Sequence, residues 1–248
     1  MSMNKYTTHW MAAVALSVLS GQAVAGISLD RTRLIITEKE ASASVNLSNT
    51  SSAIPFLAQS WVEDEKGNKI TAPLLVLPPL QRINGGQKGI ARVTKTSGIE
   101  QLPKDRESLF FLNVREIPPK PDKPNTLQLA MQSRIKLFYR PAAVIPKSKS
   151  EVWQDQVVFQ KNGNQITAQN PTPYYITLLG LSDDAKRKLT HFPGIMIAPK
   201  SSQQFAITEA SVSTFSMMYV NDYGGHPELK YRCDGNTCKA LPPAQQDQ

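Results

Sequence analysis

Side chains able to do covalent or acid–base chemistry are sparse in this sequence of 248 residues, and they are scattered. The three histidines, His9, His191 and His226, stand too far apart in sequence to suggest a first-row metal site. No G-x-S-x-G occurs, and Asn84-Gly85-Gly86-Gln87-Lys88-Gly89 lacks the spacing and terminal hydroxyl of a phosphate loop, so it is read as a hairpin turn. The two cysteines, Cys233 and Cys238, flank Asp234-Gly235-Asn236. In an oxidising compartment that spacing points to a disulfide across a hairpin turn, contributing about 2 kcal/mol for so short a loop, and it is not the C-x-x-C of a redox pair. With no base, nucleophile or metal set in view, the sequence argues against an enzyme and calls for no metal or cofactor.

Recognition chemistry is concentrated instead in residues 126–140, TLQLAMQSRIKLFYR. Leu127, Leu129 and Met131 alternate with Gln128, Ala130 and Gln132, the pattern of a β-strand. The strand then turns basic at Arg134 and Lys136 and ends at Arg140-Pro141. Residues 118–124 before it hold four prolines, which cannot donate to a ladder, so they predict an exposed, semi-rigid loop that presents the strand at an edge. Alternate apolar residues ordinarily face a core. On an uncovered edge the same residues template pairing with another chain.

The elements that must position this strand are short and bounded by turns. Runs at 27–36, 43–47, 55–63, 69–77, 88–95 and 108–117 precede it, with no amphipathic helix of three turns among them. Seven strands over residues 26–141 predict an immunoglobulin-like antiparallel sandwich. Residues 142–150 read as a linker, and 151–248 as a second β-rich domain, a sandwich or a barrel, with a frayed tail.

Residues 1–25 carry one charge, Lys5, an apolar run at 10–19 and Ala23-Val24-Ala25, the features of a secretory signal peptide cleaved before Gly26. The apolar run is about half the ~20 residues that span a bilayer, so no membrane insertion of the mature chain is expected. Without Lys5, the 28 basic residues become 27 against 20 acidic ones, a net charge of +7. Export and the absence of basic blocks or aromatic–basic repeats argue against nucleic acid as the partner.

Several motifs, in order, resemble the PapD-like periplasmic pilus chaperones. They are Ser28-Leu29-Asp30-Arg31-Thr32-Arg33, Pro78-Pro79-Leu80-Gln81-Arg82, Asp105-Arg106-Glu107-Ser108-Leu109-Phe110, Asn113-Val114-Arg115-Glu116-Ile117-Pro118-Pro119 and Ile135-Lys136-Leu137-Phe138-Tyr139-Arg140-Pro141. Asn170-Pro171-Thr172-Pro173-Tyr174-Tyr175 and Asn221-Asp222-Tyr223-Gly224-Gly225 extend the likeness into the second domain. The short proline loop and the lack of cysteines in the first domain resemble the short-loop branch of that family. The resemblance implies an all-β chain of two immunoglobulin-like domains in a boomerang with an interdomain cleft. It implies that Arg33 and Lys136 hold the terminal carboxylate of a fimbrial subunit, and that Leu127, Leu129 and Met131 fill the groove of that subunit by donor-strand complementation. It further implies a buried interdomain charge network of Glu107, Arg140 and Asp222, although Asp222 alone reads as a turn residue.

Arg31 shares strand parity with Arg33, and only the resemblance chooses between them. Lys136 is on the even face and the apolar ridge on the odd one. The implied setting is the periplasm, and the implied partners are fimbrial subunits and an outer-membrane usher, with self-association through the apolar edge when no client is bound. The competing reading is a secreted fimbrial structural subunit or adhesin, disfavoured by two complete sandwiches and the basic pair.

Overall fold

The computed structural model describes residues 26–121, 123, 125–148 and 150–242; the expected leader at 1–25 lies outside them. The first body is built from β1 (Ile27–Leu29), β2 (Arg33–Thr37), β3 (Ser42–Asn49), β4 (Phe56–Glu63), β5 (Lys69–Ile70), β6 (Leu74–Leu77), β7 (Leu80–Ile83), β8 (Lys88–Lys95), β9 (Ser108–Ile117) and β10 (Gln132–Arg140). One sheet runs β1-β3-β8-β6 and the other β2-β10-β9-β4-β5, with β7 also paired to β4. Each strand buries alternate residues between the sheets: Val45 and Leu47, Ala58 and Val62, Leu112 and Val114, Ile135, Leu137 and Tyr139. That alternation gives a sandwich with one polar or functional face per sheet.

Four expectations for this half are corrected, one being that the single run expected at 69–77 is two strands, β5 in one sheet and β6 in the other. The single strand expected at 27–36 is broken at Asp30–Thr32, so that β1 joins one sheet and β2 the other. Asp30 takes the turn by accepting from the backbone N–H of Asn46 at 3.1 Å and from the Arg31 guanidinium at 3.0 Å. β2 then runs parallel to β10, in a sandwich expected to be antiparallel throughout. Lastly, the strand expected from 126 begins only at Gln132, because the ladder to β9 ends one rung further, with Glu116 N donating to Met131 O at 3.0 Å.

The second body contains β11 (Val158–Asn162), β12 (Gln165–Asn170), β13 (Ile176–Ser182), β14 (Ile195–Ile197), β15 (Ser201–Ala206), β16 (Thr214–Val220), β17 (Glu228–Asp234) and β18 (Thr237–Ala240). They form one sheet, ordered β14-β13-β16-β17-β18-β11-β12-β15, which folds back so that β14 meets β12 and β15. Its core centres on Phe159, Phe215 and Tyr231, whose rings lie 5.0–5.4 Å apart. Cys233 and Cys238 are directly opposite in β17 and β18 and form the disulfide, beside a two-residue turn in which Gly235 takes φ 55°. Both bodies are immunoglobulin-like, and a cleft lies between them.

Candidate functional site

The site is organised by β10. Its odd residues Ile135, Leu137 and Tyr139 are buried in the sandwich, so its even residues Arg134, Lys136, Phe138 and Arg140 take the other face. Phe138, Lys136 and Arg140 on that face all touch the second body: Phe138 meets Tyr175 at 5.7 Å, and the two cations bond to Thr177 and Asp222.

Lys136 is directly opposite Arg33 in the parallel pairing of β10 with β2. Lys136 Nζ donates to Thr177 Oγ1 at 2.9 Å, and Arg33 Nη1 donates to the Val220 carbonyl at 3.3 Å. Arg33 is buried, and its Nε has no hydrogen-bond partner among the described residues. Burial and then the neighbouring Arg33 push Lys136 down to about 8. Burial also lowers Arg33, and Asp222 and Glu107 oppose that from a distance. The pair opens on a cleft of about 410 Å³, which Thr177, Val220 and His226 line from the second body. Two adjacent, partly dehydrated cations fit an anion with two acceptor oxygens, since each charge-assisted bond contributes about 1.5–3 kcal/mol. Arg31 is not part of this arrangement: it is exposed and pairs with Asp30 at 3.0 Å.

Arg140, two turns of the pleat further along, joins the bodies. Its Nε donates to Glu107 Oε1 at 2.8 Å, and Nη1 and Nη2 reach the two oxygens of Asp222 at 2.8 and 3.1 Å. Glu107 Oε2 accepts from the backbone N–H of Tyr175 at 2.8 Å, and the guanidinium lies 5.2 Å from the Trp153 ring and 5.0 Å from that of Tyr174. Burial works against the charge on Arg140, but Glu107 and Asp222 outweigh it and hold the guanidinium above its usual range. Burial pushes the Glu107 carboxyl up, while Arg140 and the Tyr175 N–H pull it back. Glu107, Arg140 and Asp222 are therefore together, and Asp222 is more than a turn residue.

Leu127, Leu129 and Met131 are 85%, 75% and 59% exposed, so they do not face the core of this chain. Gln128 on the opposite side donates to the Pro119 carbonyl at 2.6 Å, and Met131 N donates to Glu116 Oε1 at 3.3 Å. The ridge shares its odd parity with the core residues Ile135, Leu137 and Tyr139. It lies on the segment just before β10, exposed where those residues are buried. Sequence reasoning missed Thr177 and the Val220 carbonyl, for which no motif or spacing supplies a signal. Among the described residues no group of three or more His, Cys, Asp or Glu could hold a metal ion, and no helix is long and apolar enough to cross a membrane.

Residues 26–145 match the family described as "Pili and flagellar-assembly chaperone, PapD N-terminal domain", and residues 152–231 match "Pili assembly chaperone PapD, C-terminal domain". The chain is 60% identical over 226 residues to the chaperone protein PmfD of Proteus mirabilis, covering 90% of this chain and 89% of that one. It is 45% identical over 230 residues to the chaperone protein PapD of Escherichia coli, covering 92% and 95%. A solved chain from the complex of the SafA pilin with the SafB chaperone of Salmonella enterica superposes with a TM-score of 0.73 at 26% identity, over 86% of this chain and 99% of that one. With both domains matched in order around one basic cleft, the chain belongs to the family of PapD-like pilus assembly chaperones.

Proposed function

We infer that this protein is a periplasmic, non-enzymatic chaperone that binds fimbrial subunits by donor-strand complementation and delivers them to an outer-membrane usher. The observation that carries the reading is the exposed ridge of Leu127, Leu129 and Met131, which leads directly into β10, where Lys136 is paired with Arg33 of β2. An incomplete immunoglobulin-like subunit has an apolar groove and an unpaired edge, and an added strand supplies both the side chains and the ladder bonds. Three large apolar side chains at about 1.5–3 kcal/mol each outweigh two cationic bonds, so the ridge supplies most of the affinity. The cations set the register: a carboxylate held at Arg33 and Lys136 stops the subunit strand from slipping by one residue, which would turn every side chain to the wrong face. The leader at 1–25 accounts for export, and Gly26 begins the mature chain in this reading.

The test is purification of the tagged protein from periplasm, with mass spectrometry of what accompanies it. Fimbrial subunits should be recovered with the wild type and lost with Lys136→Ala. Recovery of this protein in finished pili, or its polymerisation alone, would sink the chaperone reading.

A further inference from the structure

The anchor pair is one end of a longer row. On the outward face of the second sheet, Arg33 stands opposite Lys136, Lys136 opposite Phe111, Phe111 opposite Glu63, and Glu63 opposite Lys69. At about 4.8 Å between strands the row spans roughly 19 Å. The next rows of that face carry Arg134, Asn113 and Trp61, then Gln132, Arg115 and Gln59.

The cations here are laid on rings. Arg134 Cζ is 3.4 Å from the centroid of Phe111, and Lys69 Nζ and Arg115 Cζ are each 5.7 Å from that of Trp61. Arg115 Nη2 also donates to Gln59 Oε1 at 2.6 Å. In these rows five cations, Arg33, Lys69, Arg115, Arg134 and Lys136, share the face with one carboxylate, Glu63. Glu63 is already engaged, accepting from Trp61 Nε1 at 2.8 Å and Arg134 Nε at 3.0 Å. Stacking orders the long side chains; Arg134 is also ion-paired to Glu63 at 3.0 Å, while Lys69 and Arg115 keep their charge for an opposing acid and lose little further freedom.

We propose that this ring-backed basic face is a second contact surface, which takes an acidic patch on the folded body of the same subunit whose terminal carboxylate sits at Arg33 and Lys136. The proposal rests on the subunit-binding reading above. Continuity with the anchor row selects that subunit as the occupant, and a surface spread across five strands suits a folded protein rather than a small ion. Its physical effect is steering: complementary charge raises the rate of encounter, and the ridge and anchor then complete the complex.

The probe is the folded subunit identified by periplasmic co-purification, compared with a synthetic peptide of its last 15 or so residues. For Arg115→Glu, association with the folded subunit should slow about tenfold and lose much of its salt dependence, while peptide affinity stays within about twofold. Lys69→Glu, in a separate strand, should act in the same direction and serves if the first variant misfolds by circular dichroism. Unchanged association in both variants overturns the second surface and leaves the anchor reading standing. An equal loss for peptide and subunit overturns it too, because the residues would then belong to the anchor. Binding to phosphatidylglycerol vesicles that Arg115→Glu abolishes, with subunit association unchanged, would assign the face to a membrane instead. Failure of the wild type to bind either probe overturns both readings.

Discussion

Lys136 and Arg33 face each other across a parallel strand pair, and each reaches into the second domain, Lys136 to Thr177 Oγ1 and Arg33 to the Val220 carbonyl. The two cations are thus held side by side in the free protein, and burial, then the like charge of Arg33, weakens the proton on the lysine.

With Lys136 as one half of the proposed anchor, that weakened proton should make client binding pH-dependent. Lys136 stands at about 8, against 10.5 for the ordinary side chain, and the proposed carboxylate contact would need the ammonium form. Affinity for a subunit's C-terminal peptide should therefore fall about tenfold from pH 7 to pH 9, the factor by which the charged form is depleted. Lys136→Arg should flatten the profile, as titration calorimetry across that range would reveal. Stability moves the other way: between about pH 8 and 10.5 the unfolded chain binds more protons than the folded one, so the contribution of this residue rises with pH.

Removal of either anchor cation separates binding from folding to different degrees. Lys136→Ala deletes one half-exposed hydrogen bond, so the melting temperature should change little while subunit complexes disappear from periplasmic extracts. Arg33→Ala leaves the Val220 carbonyl without this donor at a buried position and should cost about 1–3 kcal/mol of stability as well. Undiminished complex recovery in both would refute the anchoring role.

Leu129→Ala should be silent in a thermal melt, because the side chain is 75% exposed in the free protein. Against the folded subunit it should lose about 1.5–3 kcal/mol, the burial it gains only in a groove. Leu129→Glu should lose more, since a charge enters that groove. Surface plasmon resonance with wild-type subunit measures both.

The free ridge should also drive self-association, visible as concentration-dependent sedimentation that added subunit competes away. A monomer at every concentration would contradict this.

Arg140→Ala should be the most destabilising of these changes, by about 3–5 kcal/mol, because it strands the Glu107 carboxylate at 3% exposure. Asp222→Asn should cost less, as that side chain is 25% exposed and its partner keeps Glu107. Melting curves, with proteolysis of the 142–152 connection as a second readout of domain separation, test the difference.

Much of the architecture was legible in residue order. Short runs between turn residues marked most of the β-strands, although the strictest alternation, at 127–131, lies outside any strand, and Cys233 and Cys238 marked a bridged hairpin. The break at Asp30–Thr32 was not legible, because it depends on Asp30 bonding to Asn46 in β3. That break matters for the site: it sends β2 to the other sheet and separates Arg33 from Arg31, which parity alone had left equivalent.

By itself the sequence determined that Leu127, Leu129 and Met131 alternate with polar or small residues and that Lys136 falls on the opposite parity, while the face that each would occupy stayed open. Only the tertiary structure decided what covers each side. The odd stripe is buried from Ile135 onward and bare before Gln132, where the pairing of β10 with β9 ends, and the even stripe meets the second domain at Thr177 and Asp222. Alternation records that two faces differ; which one meets a core, a cleft or a client is set by long-range pairing that no local pattern contains.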